Sequence, residues 1–124
     1  MPGAVIASGK LLFVAMFDIS IQPKSYAILL VGGFSMLSFG ALIEPFHFAA
    51  SRFPGTYRKP LLAGLGGNKP KAQCGTVVEC GADDAELANL LETADAPDVL
   101  IVCGGDMGLS REPAGLLGLL RRAL

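Results

Sequence analysis

Hydrophobic and polar positions alternate along this chain in short and long blocks. Tyr26 to Val31 (YAILLV) is an unbroken apolar run of strand length. A run apolar on both faces marks a central parallel strand. Gly32-Gly33 turns the chain and Ser35 is placed as an N-cap. Met36 to Phe53 then reads as a long, mostly apolar helix, ended by Pro54-Gly55. Pro45 should kink that helix, because it has no N–H to give to the carbonyl of Ala41. Lys59 to Ala63 fits a second strand, Gly64 to Asn68 a turn, and Ala72 to Val78 a short β excursion. DDAELANLLETA predicts a helix capped by Asp83, with Glu86 at capping-box spacing and an apolar stripe of Leu87, Leu90 and Leu91. Pro97 breaks the chain before a strand from Asp98 to Cys103. Gly104-Gly105 then repeats the strand-then-diglycine pattern, and a last helix runs from about Pro113 to Leu124.

Strands alternating with helices imply a parallel sheet with helical crossovers. Three sheet strands and one excursion are countable, where open sheets of this kind have about five strands. The expectation is therefore a partial domain with one apolar strand edge uncovered. Residues 1–24 read differently and are set apart as an N-terminal extension. A strand over Leu11 to Phe17 and a break at Gln22-Pro23-Lys24 fit them. The domain proper is residues 25–124, with both diglycine turns at the same edge of its sheet.

Composition narrows the classes. At 124 residues and 52% hydrophobic, the chain holds one domain with a real core. Ten basic and eleven acidic residues leave a net charge of -1, with no basic stripe for nucleic acid and no pull toward an anionic membrane. Arg111, Arg121 and Arg122 are too few to count and suit a helix C-terminus instead. No apolar run reaches the about 18 residues that a membrane-spanning helix needs. Cys74, Cys80 and Cys103 are an odd set with no C-x-x-C pair. That spacing argues against a disulfide framework or a structural zinc site, and for a reducing, cytoplasmic setting.

Candidate chemistry is sparse. Glu44 lies three residues after Ala41 and seven after Leu37, on one helix face with them. Either it is a desolvated acid in a pocket, suited to holding or donating a proton, or it meets solvent at a helix edge. Gly32-Gly33 and Gly104-Gly105 either bring backbone N–H groups to a ligand or are plain tight turns. No third glycine completes a dinucleotide fingerprint, and no phosphate-binding loop motif is present. Cys103 is a nucleophile at a strand end or a small core residue, and no G-x-C-x-G elbow surrounds it. His47, the only histidine, follows Glu44 by three residues and has no clustered partners for a metal. No metal, cofactor or catalytic residue is assigned.

From Ser25 to Leu124 the chain resembles the ThiJ/PfpI-like domain, a class I glutamine-amidotransferase-like fold. More narrowly, it resembles the N-terminal sensing domain of AraC-type transcriptional regulators of the GlxA kind. The residues that carry the likeness are AILLVGGFSMLSFGALIEPFHFAA, LLAGLGG, DDAELANLLETAD and DVLIVCGG. The resemblance implies a flavodoxin-like, three-layer parallel sheet with flanking helices, of which this chain holds the first half. It implies Glu44, Gly33, Gly104 and Gly105 around a pocket for a small metabolite, and a homodimer. DNA would be bound only through helix-turn-helix motifs absent from these residues. The family's nucleophile would lie beyond Leu124, so no enzyme activity is expected. Two alternatives remain: a fragment of a ThiJ/PfpI-type hydrolase, amidase or glyoxalase with Glu44 as general acid/base, or an inactive truncated product.

Overall fold

The computed structural model describes residues 5–8, 24–105 and 115–124. In chain order its elements are β1 (Val5–Ser8), β2 (Tyr26–Leu30), α1 (Met36–Arg52), β3 (Leu61–Gly64), β4 (Ala82–Asp83), α2 (Asp84–Leu91), β5 (Val99–Cys103) and α3 (Leu116–Ala123). The strands form one sheet in the order β1-β5-β2-β3-β4, and every pairing is parallel.

The apolar runs explain the sheet's centre. All five residues of β5 and all but Tyr26 of β2 are buried, as strands covered on both faces must be. Their side chains alternate between two clusters. Ile28, Leu30, Ile101 and Cys103 pack with Phe34, Phe39 and Leu42 beneath α1. Ala27, Leu29, Leu100 and Val102 pack with Leu87 and Leu91 of α2 and Leu119 and Ala123 of α3. The result is a three-layer α/β arrangement, consistent with part of a flavodoxin-like fold.

Local chemistry sets the element ends. Ser35 caps α1, its hydroxyl accepting from Ser38 N at 3.3 Å. Asp83 caps α2, its Oδ1 accepting from Glu86 N at 2.8 Å. Each cap satisfies an otherwise orphaned helix N–H and contributes about 1 kcal/mol. At the start of the central strands, Asp98 Oδ2 accepts from Ser25 N (2.8 Å) and Ser25 Oγ (3.1 Å), which fixes the register of β2 against β5. α1 continues through Pro45 to Arg52.

Two expectations change. The sheet has five strands, because the two-residue β4 pairs with β3 and Val5–Ser8 pairs with β5 from Val5↔Leu100 to Ser8↔Cys103. One strand edge was expected to be uncovered; the outer edge of β5 is covered by backbone from the N-terminal extension. Residues 11–17, read as a strand, lie outside the described residues, as do Arg111 and Pro113. The excursion over 72–78 is a single antiparallel bridge, Lys71↔Val77, around a tight turn in which Gly75 N donates to Ala72 O at 2.9 Å.

Candidate ligand site

The two diglycine turns do meet. In a parallel sheet all strands end at one edge, so Gly32-Gly33 after β2 and Gly104-Gly105 after β5 are neighbours by construction. Val31 N donates to Cys103 O (3.0 Å) and Ser35 N to Gly104 O (3.1 Å). Gly33 has a φ of 83°, a conformation that favours glycine. Gly105 is buried, and a Cβ built on it would fall on the Gly33 carbonyl oxygen. Only a residue without a side chain lets these backbones approach so closely.

A strap formed by residues 68–80 closes the same edge. Gly33 N donates to Lys71 O (2.8 Å) and Gln73 N to Phe34 O (2.8 Å). Ala72 and Cys80 anchor the strap in the core beside Phe34. The chain leaves β2 toward α1 on one face of the sheet, while the helix that follows β5 in sequence, α3, packs on the other. The junction between the ends of β2 and β5 is thus the topological switch point, the place where open α/β sheets bind ligands.

Glu44 is not at this junction. It lies nine residues beyond Ser35, about 13 Å along the helix at a 1.5 Å rise per residue, and it is exposed. With Ile43, His47, Lys59, Pro60 and Leu62 it lines a separate cavity of about 400 Å³ between α1 and the start of β3. Lys59 and Pro60 precede β3, so this cavity lies at the amino edge of the sheet, opposite the glycine turns. The expected convergence of Glu44 with Gly33, Gly104 and Gly105 is therefore corrected. The face that Glu44 shares with Leu37 and Ala41 is real, but it is the outward face: Leu37 is 80% exposed, whereas Phe39 and Leu42 are buried. His47 does share the cavity with Glu44. Lys59 was missed; its one signal is its position just before a strand that follows α1, which returns it to the helix's far end.

The cysteines are free and differ in environment. Cys103 is fully buried, and desolvation pushes its thiol up to about 11. Burial raises Cys80 as well. Cys74 is exposed on the strap, and the Thr76 hydroxyl, 3.4 Å from its Sγ, lowers its pKa. Reactivity follows the thiolate. At about pH 8 an aromatic disulfide reagent should therefore label Cys74 fast and the other two only on unfolding. Loss of the fast phase in Cys74→Ser checks this; a fast phase that survives contradicts it.

Among the described residues no three His, Cys, Asp or Glu side chains cluster as a metal site, and no helix is long and apolar enough to cross a membrane. No family model, curated protein or solved structure matches the chain.

Proposed function

We propose that this protein is the effector-sensing and self-association domain of a transcriptional regulator of the AraC type, binding a small metabolite at the switch-point junction. One observation carries the reading: two diglycine turns locked backbone to backbone across the ends of the two central strands. Glycines bring main chain close to a ligand where a side chain would stand in the way, and the strap over 68–80 borders the same edge through its bonds to Gly33 and Phe34. The sequence resemblance over AILLVGG and DVLIVCGG falls on these same turns. Self-association is assigned to the outward side of α1, where Leu37 and Phe48 are exposed, with exposed Phe53 just past its end. DNA contact belongs, in this reading, to helix-turn-helix motifs outside these residues. An enzyme of the ThiJ/PfpI kind gains nothing from the geometry, since Glu44 stands at the opposite sheet edge and Cys103 is a buried, protonated thiol.

The test is amide-resolved NMR of the 124-residue chain against pooled water-soluble metabolites. A binding pool should move the amides of Gly33, Gly104 and Gly105 together with Lys71 and Gln73. A full set of pools that leaves all five unmoved would reject the reading.

A further inference from the structure

The cavity at the amino edge has a chemistry of its own. Its floor is apolar: Ile43 and Leu62 are half-buried and Pro60 is buried. Its rim carries one carboxylate, one ammonium and one imidazole, from Glu44, Lys59 and His47. Among the described residues the one ion pair is Arg122 with Glu92, at 3.7 Å, on another part of the surface. Glu44 and Lys59 thus line one cavity without pairing to each other. Glu44 and His47 come from α1 and Lys59 from the segment just before β3, so the rim groups stand on opposite walls of the cavity. At about 400 Å³ the space is at the small end of the range for small-molecule sites.

We infer that this cavity is a second ligand site, for a small zwitterion with an aliphatic body, of the α-amino acid class. The ammonium group of such a molecule meets Glu44, its carboxylate meets Lys59, and its side chain covers Ile43, Pro60 and Leu62. Opposite charges on opposite walls match a dipolar ligand and mismatch a singly charged one, which places one of its ends beside a like or unanswered charge. His47, one turn along α1 from Glu44, lines the same cavity. The site is independent of the switch-point junction, because it shares no residue with it.

The probe is L-leucine titrated to about 50 mM, a concentration matched to a shallow, rim-exposed site with millimolar affinity. Amide shifts followed by NMR should appear at Ile43, Glu44, His47 and Leu62. Leucinamide, which lacks the carboxylate, and 4-methylpentanoate, which lacks the ammonium, should each bind at least about fivefold more weakly. Glu44→Gln should weaken leucine while leaving 4-methylpentanoate unchanged, and Lys59→Met should weaken leucine while leaving leucinamide unchanged. All four positions being unmoved at the top of the titration would overturn the inference, as would equal binding of the three probes. Shifts confined to Gly33, Gly104 and Gly105 would also overturn it, while supporting the switch-point junction as the ligand site.

Discussion

Gly105→Ala is expected to destabilise the protein by about 3 kcal/mol, whereas Gly32→Ala, one turn away, should change stability by less than about 0.5 kcal/mol. The difference is purely one of space. At Gly105 the new Cβ would land on the Gly33 carbonyl oxygen and lie 3.2 Å from its carbonyl carbon. Both atoms are backbone, so no side chain can swing away. Relief requires the two turns to separate, which stretches the Ser35 N to Gly104 O bond and the Gly33 N to Lys71 O bond that ties on the strap. Two hydrogen bonds at about 0.5–1.5 kcal/mol each, plus the strain of a core that moves as a unit, give the stated size. At Gly32 a Cβ meets nothing within 4 Å. Urea unfolding of the two variants decides the matter, because a shift in midpoint at constant slope reports stability directly. Equal midpoints would mean that the turns are not in contact in solution.

The same contact explains why the switch point is legible in the sequence. Two apolar runs ending in Gly-Gly are enough to place two turns at one edge, since parallel strands end together and glycine at both ends permits close approach. The caps at Ser35 and Asp83 were legible for a similarly local reason: a side-chain oxygen stands three residues before the N–H it satisfies. β1 was not legible. Val-Ile-Ala-Ser is a short run, and its partner β5 is more than ninety residues away in sequence. Nothing local records such a pairing. β4, two residues long, is visible only through β3 beside it.

The placement of Glu44 failed for a different reason. α1 is apolar on more than one side, so periodicity offers two stripes: Leu37, Ala41 and Glu44, or Phe39, Leu42 and Phe46. A helix with two apolar stripes buries the one that finds the better partner. The aromatic stripe wins, because Phe46 packs on Tyr26 with ring centroids 4.8 Å apart and Phe39 meets Phe34 edge-on at 5.8 Å. Periodicity also says nothing about depth. Nine residues of helix carry Glu44 from one sheet edge toward the other, which is why an acid read as part of one pocket lines another.

Phe34→Ala carries the largest expected loss, about 3–5 kcal/mol. Phe34 is fully buried and heads the set of large side chains with no exposure. It stands between Gly33 and Ser35, so its ring is inserted directly beneath the junction, against Phe39 and among Ile28, Leu30 and Cys103. Its backbone is committed as well: its N–H donates to Val31 O at 2.9 Å and its carbonyl accepts from Gln73 N at 2.8 Å. Truncation therefore leaves a cavity at the junction of sheet, helix and strap, and none of the three can collapse into it without breaking those bonds. Phe48→Ala, at a side chain 60% exposed, removes the same atoms from water-facing surface and should cost less than about 0.5 kcal/mol. The pair separates burial from residue type in one urea experiment. A second readout follows from position. Cys80 and Cys103 share Phe34's cluster, so local opening of the strap in Phe34→Ala should make both thiols react in the native baseline, before global unfolding. Thiols that stay as protected as in the parent protein would show that the strap is held by something other than this ring.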